Sequence, residues 1–144
     1  MKILFDTNVI LDVLLEREPF VKPALYLLAK VERSEVNGFI CATTVTTLHY
    51  LISKALGQKE ALRHIKTLLS MFEIAPVNRA VIEEAQNLNF PDFEDAVLDV
   101  SALTVGADCT VTRNCSDFKS AKIPVYTPDE LVKVIESIQS VLTS

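Results

Sequence analysis

The sequence has little of the material that several protein classes require. It has no tryptophan, only 3 glycines and 6 prolines among 144 residues, and no low-complexity tract, which excludes collagen-like and disordered chains. Its cysteines, Cys41, Cys109 and Cys115, form neither an even set nor a C-x-x-C pair, so we expect neither disulfides nor a zinc site. Apolar runs fall short of the roughly 20 residues that cross a bilayer. We therefore expect a cytoplasmic protein with no membrane partner.

Positive charge is also scarce. Fourteen Lys and Arg against 19 Asp and Glu give a formal charge of -5, so the chain as a whole offers no positive field to nucleic acid. With 49% hydrophobic and 23% charged residues and no linker-like segment, we expect a single domain over residues 1–144 with a buried core. The excess of acidic residues then requires an explanation.

Short β-like runs alternate with longer helical segments. The predicted strands are Lys2–Phe5, Phe39–Cys41, Phe72–Ala75, Thr110–Thr112 and Val125–Tyr126. The predicted helices are Val21–Val36, Val45–Leu56, Lys59–Phe72, Asn78–Leu88, Phe93–Val105 and a last one that begins near Thr127. Because the segments between strands are long enough for crossover helices, the pattern favours an α/β fold with a parallel sheet of about five strands.

Several helix ends carry recognisable signals. Asn37-Gly38 is expected to stop the first predicted helix, and Gly57 to separate two helices that form a hairpin. The last helix opens with Thr127-Pro128-Asp129-Glu130, which is a capping box with proline at the first helical position.

Carboxylates fall where a parallel sheet would gather them. Asp6 comes directly after the first strand, and the polar segment 113–117 comes directly after the fourth. A third group, Asp92-Phe93-Glu94-Asp95, opens the helix before that strand, with Asp99 four residues beyond Asp95 on the same helix face. Because the carboxyl ends of parallel strands meet at one edge, we expect these side chains at a common rim.

Each acid also has an ordinary structural interpretation. Asp6 can cap the following helix, Asp92 or Glu94 can complement a helix dipole, and Asp117 can start a turn. Together, oxygen ligands at two strand ends and one helix start favour a hard divalent ion such as Mg²⁺ or Mn²⁺. Such ions neutralise a phosphodiester and acidify a coordinated water, which lets an acidic protein act on a polyanion.

The order and spacing of these motifs resemble a PIN domain over nearly the whole chain, and the tail 123–131 resembles that of small VapC-type proteins. The motifs are Ile3-Leu4-Phe5-Asp6-Thr7-Asn8-Val9-Ile10-Leu11-Asp12, Asp92-Phe93-Glu94-Asp95-Ala96, Val111-Thr112-Arg113-Asn114 and Asp117-Phe118. The resemblance implies a three-layer α/β/α sandwich and a metal-dependent ribonuclease. Such proteins are often homodimers and frequently the toxin of a toxin–antitoxin pair, so RNA and an antitoxin protein are the expected partners.

The resemblance also assigns roles residue by residue. Asp6 and Asp95 match two of the catalytic, metal-binding carboxylates. Because Asn114 holds a position that is often Asp in the family, Asp117 is the expected remaining carboxylate. Asp92 and Asp99 are possible further ligands. The residues expected to assist or to contact substrate are Asn8, Thr112, Arg113 and Asn114.

One departure from the family pattern concerns the helix after the second strand. PIN nucleases usually carry a Glu there, whereas residues 43–51 contain no acid. His49 falls near that position, either as a ligand or as a structural histidine. Asp92, Glu94 or Asp99 are the alternatives for the missing ligand.

Other functions remain open on the sequence alone. A catalytically weak or inactive PIN-fold module that binds RNA or an antitoxin is one, and an apolar groove between the helices of residues 21–72 would be its docking surface. Arg113, Lys119 and Lys122 surround the polar segment, either as phosphate contacts or as ordinary surface charge. The run Phe5-Asp6-Thr7-Asn8-Val9 also resembles the nucleophile loop of haloacid-dehalogenase-like phosphatases, but their second Asp is replaced by Asn8, which makes this alternative weaker.

Overall fold

The computed structural model describes residues 1–143 and contains one five-stranded sheet. The strand order is β3-β2-β1-β4-β5, and every neighbouring pair is parallel. The strands are β1 (Lys2–Phe5), β2 (Asn37–Cys41), β3 (Glu73–Ala75), β4 (Cys109–Val111) and β5 (Val125–Tyr126). The helices are α1 (Thr7–Leu14), α2 (Val21–Glu32), α3 (Ala42–Leu56), α4 (Gln58–Met71), α5 (Arg79–Ala85), α6 (Phe93–Thr104) and α7 (Pro128–Thr143). The predicted parallel α/β fold is confirmed.

The central strand β1 is buried on both faces. Ile3 and Phe5 point into a core built with α1, α2, α3, α4 and α7, whereas Leu4 points into a second core built with α5 and α6. All three side chains are fully buried, as expected for a parallel strand with helices on both sides. The three-layer α/β/α arrangement is therefore confirmed.

Helix ends follow the local signals in part. The capping box of α7 is confirmed: the Thr127 N–H donates to Glu130 Oε1 at 2.8 Å, and the Glu130 N–H donates to Thr127 Oγ1 at 3.2 Å. The hairpin of α3 and α4 is also confirmed, with Gly57 between them at φ 91°. Helix α1 is a helix that the sequence pattern does not predict, because it has only 8 residues and follows β1 after the single residue Asp6.

The predicted stop at Asn37-Gly38 is wrong. Helix α2 ends at Glu32, and both residues belong to β2. A Cβ atom on Gly38 would lie 2.6 Å from the Phe72 ring and 2.9 Å from Val31. The glycine is therefore required by close packing between the sheet and its helices, and it does not terminate a helix.

The cysteines are free, and two are buried: Cys41 lies in β2, as predicted, and Cys109 begins β4, one residue before the predicted strand. None of the helices in residues 1–143 combines the length and the apolar character needed to cross a bilayer.

The order of the sheet determines where a crevice forms. The chain adds β2 and β3 on one side of β1 and then returns to add β4 and β5 on the other. In open parallel sheets, the loops that leave the carboxyl ends of two such neighbouring strands diverge and leave a crevice. The crevice here lies beyond Phe5 of β1 and Val111 of β4.

Candidate functional site

An open cavity of about 350 Å³ lies at the carboxyl ends of β1 and β4. Five of its lining side chains are carboxylates: Asp6, Asp92, Glu94, Asp95 and Asp117. The other lining residues are Thr7, Asn8, Leu11, Arg17, Thr47, Leu51, Arg113 and Asn114. The structure thus brings together the acids from two strand ends and one helix start, as the parallel sheet predicted.

Asp6 is held rigidly at the bottom of this cavity. Its backbone N–H donates to the Val111 carbonyl at 3.0 Å, which continues the pairing of β1 with β4. Its Oδ1 accepts from the Thr7 N–H at 2.7 Å, as the cap of α1, and its Oδ2 accepts from the Thr112 hydroxyl at 2.8 Å. Burial raises the pKa of Asp6, and these hydrogen bonds oppose the rise. The carboxylate is therefore oriented before any ligand arrives.

Asn8 connects the two strand ends. Its amide group donates to Asp6 Oδ2 at 3.5 Å and to Thr112 Oγ1 at 3.3 Å, while its Oδ1 accepts from the Arg113 N–H at 3.2 Å. The Thr112 hydroxyl also accepts from the Asn114 N–H at 3.1 Å. This network fixes the loop after β4 against the loop after β1.

The first turn of α6 supplies three of the carboxylates. Asp92 caps the helix by accepting from the Glu94 N–H at 2.9 Å, and Glu94 and Asp95 follow in the turn where the helix dipole favours negative charge. Burial raises the pKa of Asp95 to about 7, and the charges of the four other cavity carboxylates add to the rise. Burial also raises the pKa of Glu94, which Asp92 and Asp6 reinforce and the Thr47 hydroxyl partly offsets.

Two arginines at the edge of the cavity, Arg17 and Arg113, both bind the buried carboxylate of Asp12. Asp12 is fully buried in α1 and accepts at Oδ1 from Arg17 Nε at 2.9 Å and from an Arg113 Nη at 3.2 Å. Arg113 Nε also lies 2.8 Å from Asp12 Oδ2. Arg17 additionally donates to the Asn8 carbonyl at 3.4 Å. One buried charge thus positions two cations that remain partly exposed beside the carboxylates.

Two predicted site residues lie elsewhere. Thr112 was expected to contact substrate, but it is fully buried and acts on Asp6 from behind. Asp99 was a possible metal ligand, but it is fully buried, and its oxygens accept from the Lys122 N–H at 3.0 and 3.3 Å. Helix α6 enters the core after its first turn, so Asp95 reaches the cavity whereas Asp99, one turn on, does not.

The lining of the cavity shows which side of α3 faces the carboxylates. Thr47 and Leu51, one turn apart, line it, whereas His49 lies on another side of the helix and does not. His49 is therefore excluded as a replacement for an acid on α3. Lys119 and Lys122 do not line the cavity either, and Lys122 Nζ lies 3.5 Å from Glu84.

Sequence reasoning missed the roles of Asp12, Arg17 and Thr47. A signal for Asp12 is present, because it is the only charge in the apolar run 9–15. A charge in such a run is buried and therefore needs a partner. Its partners cannot be read from the sequence, since Arg113 is 101 residues away.

The chemistry of the cavity fits a divalent cation. Within residues 1–143, no three His, Cys, Asp or Glu side chains are arranged as ready ligands of one ion. Mg²⁺ is commonly held by one or two carboxylates together with water and phosphate oxygens, so it does not need such a cage. Five carboxylates line one open cavity, and burial together with the neighbouring negative charges raises the pKa of Asp95, so a bound cation would offset the repulsion between them.

Comparison with known proteins gives consistent results. A family model described as PIN domain matches residues 2–116. Ribonuclease VapC1 from Aquifex aeolicus (strain VF5) is 31% identical over 134 residues, which cover 90% of this chain and 92% of that protein. VapBC2 from Rickettsia felis, solved bound to a DNA fragment from its promoter, has the same fold, with a TM-score of 0.67, 19% identity, and 88% of this chain and 98% of that chain covered. A toxin-antitoxin complex from Klebsiella pneumoniae gives a TM-score of 0.65 and 25% identity, with 87% of this chain and 96% of that chain covered.

Proposed function

The chain belongs to the PIN domain family, as its motifs predict, and on this basis we propose that it is a ribonuclease that depends on Mg²⁺ or Mn²⁺. The observation that carries the proposal is the gathering of five carboxylates in one open cavity at the carboxyl ends of β1 and β4. A relative that is 31% identical over 90% of the chain is named a ribonuclease, which supports RNA as the substrate.

Asp6, Asp95 and Asp117 would hold the ion, and Asp92 and Glu94, which line the same cavity, would assist. A bound divalent cation neutralises charge on a phosphodiester and lowers the pKa of a coordinated water. The protein's own contribution is to hold Asp6 in one orientation through Thr7 and Thr112. An oriented carboxylate loses no further freedom when the site fills, which favours binding.

The two arginines on Asp12 supply the positive charge that RNA needs. Arg17 and Arg113 line the same cavity as the carboxylates, and both side chains are partly exposed. Guanidinium groups bind phosphate oxygens through paired N–H groups, so they can hold the phosphates on either side of the one that is cleaved. Asn8 and Asn114, which also line the cavity, are the remaining candidates for substrate contacts.

A toxin role with a protein antitoxin is the finer part of the proposal. Structures of the same fold include toxin–antitoxin complexes. A groove between α2 and α4, lined among others by Leu28, Leu68 and Met71, is the surface that we assign to an antitoxin segment. Exposed apolar side chains on α3 and α4, such as Tyr50, Leu62 and Leu69, are the surface that we assign to a homodimer.

Cleavage of a mixed single-stranded RNA by the purified chain tests the ribonuclease assignment. We expect cleavage with Mn²⁺, none with chelator, and a loss of about a hundredfold or more in Asp6→Asn. Asp108→Asn is the matched control, because Asp108 lies at the opposite edge of the sheet and binds the Lys2 N–H. Cleavage that survives both chelator and Asp6→Asn would disprove the assignment.

The alternatives predict different results in the same experiment. Metal and RNA binding without turnover would favour a non-catalytic PIN module, for which the absence of an acid on α3 is the motivating feature. A phosphatase would form a covalent phosphoryl adduct on Asp6. Membership of the PIN family and the use of Asn8 to orient Asp6 both argue against that chemistry.

A further inference from the structure

A second cleft adjoins the acidic cavity. It has a volume of about 310 Å³ and is lined by Phe20, Pro23, Arg113, Asn114, Thr127, Pro128 and Asp129. Two of these residues, Arg113 and Asn114, also line the acidic cavity, so the two sites share one wall. A molecule bound across that wall would contact both sites.

The aromatic ring in this cleft is both exposed and held in place. Phe20 is 37% exposed, although large aromatic side chains are usually buried. The Arg113 guanidinium lies 3.9 Å from the centre of its ring. Asp12 holds the same guanidinium through its N–H groups, with an Arg113 Nη donating to Asp12 Oδ1 at 3.2 Å and Nε 2.8 Å from Oδ2. The guanidinium group is therefore held against the aromatic ring, and Asp12 fixes its position.

We propose that this cleft binds a nucleobase of the RNA substrate, the base next to the phosphate that is cleaved. The inference rests on the proposed ribonuclease activity and adds a base-binding site to it. Unpaired bases stack on aromatic side chains and on arginine planes, which is how proteins commonly bind single-stranded RNA. Phe20 and Arg113 offer both surfaces in one cleft.

The charge of the cleft favours a base over a phosphate. Asp12 pairs with both Arg17 and Arg113 and so offsets only part of the Arg113 charge, and Asp129 adds a negative charge at the cleft. An anion therefore gains little there, whereas the apolar faces of Phe20, Pro23 and Pro128 suit an uncharged planar group. Phosphates have their own site at the acidic cavity, on the other side of the shared wall.

The position of the cleft also sets which base it binds. Because Arg113 and Asn114 belong to both sites, the two binding positions are immediate neighbours, as a phosphate and an attached nucleoside are. A base several nucleotides away would not need this shared wall. The site is specific to single-stranded RNA, since a base inside a duplex has no free face for the ring.

The test uses short single-stranded RNAs that carry 2-aminopurine, a base whose fluorescence is quenched by stacking, at successive positions around the cleavage site. The protein carries Asp6→Asn so that the RNA stays intact. We expect quenching at one position next to the scissile phosphate. Phe20→Leu should abolish the quenching and weaken RNA binding about ten- to a hundredfold, and Phe20→Trp should retain both.

An abasic nucleotide at that position separates stacking from a merely structural role of Phe20. If the ring stacks on the base, Phe20→Leu and wild-type proteins bind the abasic RNA equally well. Leu103→Ala, which removes an exposed apolar side chain of α6, is the control and should leave RNA binding unchanged.

Three outcomes overturn the inference. Quenching that persists in Phe20→Leu, or an equal loss of affinity on intact and abasic RNA, shows that the ring does not stack on a base, while the ribonuclease assignment stands if wild-type protein still cleaves. A wild-type protein that neither binds nor cleaves RNA overturns the ribonuclease assignment, and the base site with it.

Discussion

Asp95 shows how far burial and neighbouring charges shift the pKa of one residue of this site. Its pKa lies at about 7 because it is half-buried and faces four other carboxylates. A group with its pKa raised in this way prefers its proton, so the folded protein without metal holds a charge there at a free-energy cost. The residue is suited to a ligand that carries positive charge, and it destabilises the protein until that ligand binds.

The stability of the metal-free protein is therefore expected to fall as pH rises from about 4 to about 7, and to stay low above that. The folded state binds the Asp95 proton more tightly than the unfolded chain, whose pKa is near 3.8, so raising the pH favours unfolding over this interval. Asp95→Asn should reduce the slope, to which Asp6, Glu94 and Asp99 also contribute, and should raise the stability at pH 8 by about 1 kcal/mol, since solvent screens this half-exposed group. Urea unfolding across this pH range in chelator measures both effects.

The exposed substitution Glu83→Gln on α5 is the control and should leave the pH dependence as it is. Added Mn²⁺ should stabilise wild-type protein and have a smaller effect on Asp95→Asn. An Asp95→Asn protein with the wild-type slope would contradict the assignment of the strain to this carboxyl group.

Asp12 is another residue whose charge affects other side chains, because it holds two arginines in place. Asp12→Asn keeps the shape of the side chain but removes the charge that holds Arg17 and Arg113. We expect a loss of about 2 kcal/mol or more in the free energy of unfolding, less than for a fully buried pair because both arginines reach water. RNA affinity should also fall, since the guanidinium groups lose their fixed position.

Arg17→Lys is the companion variant for this prediction. It keeps the positive charge but not the planar group that bonds both Asp12 and the Asn8 carbonyl. We expect it to weaken RNA binding with little loss of stability. Unfolding and RNA binding that are both unchanged in Asp12→Asn would show that the buried carboxylate does not organise the arginines.

At the scale of elements, the contrast between α6 and β2 shows which local signals can be trusted. The cap and the acidic first turn of α6 are visible in the sequence, because caps act within a few residues. The role of Gly38 in β2 is not, because it depends on Phe72 and Val31 from other elements. The same glycine predicts a helix stop when only its neighbours in sequence are considered.

Gly38→Ala is expected to destabilise the protein by about 2 kcal/mol or more, because the added Cβ meets the Phe72 ring at 2.6 Å. The double variant with Phe72→Leu should recover part of that loss by making room. Gly57→Ala should cost about 1 kcal/mol for a different reason, its positive φ, and Phe72→Leu should not rescue it. Denaturant unfolding of wild type, Gly38→Ala, Phe72→Leu and their double variant gives the coupling energy, and additive effects would exclude the clash.

At the scale of the whole molecule, the formal charge of -5 has a location. The cavity is lined by five carboxylates and two arginines, a net formal charge of -3, so more than half of the charge of the chain lies there. The sequence had suggested six acids at this rim, but Asp99 is buried under the Lys122 backbone. Most of the net negative charge thus lies at one place, where a bound cation would offset it.

RNA affinity is consequently expected to depend on divalent cations more than on the net charge of the chain. In chelator, Asp92→Asn/Glu94→Gln should bind RNA more tightly than wild type, because it removes two negative charges from the cavity. With Mn²⁺ the order should reverse. Fluorescence anisotropy at one fixed ionic strength measures RNA affinity in both cases. An RNA affinity that is the same in chelator and in Mn²⁺ would contradict the prediction.

The sequence by itself determined the α/β fold, most of the helices and strands, and the rim at which Asp6, Asp95 and Asp117 meet. Those features follow from periodicity, caps and the parallel order of strands, which are local or follow from chain topology. Only the tertiary structure decided that Thr112 supports Asp6 and that Asp99 lies outside the cavity. It also decided that Asp12 holds Arg113 against Phe20. Burial and ion pairing depend on residues that are distant in the chain and meet only when the layers pack.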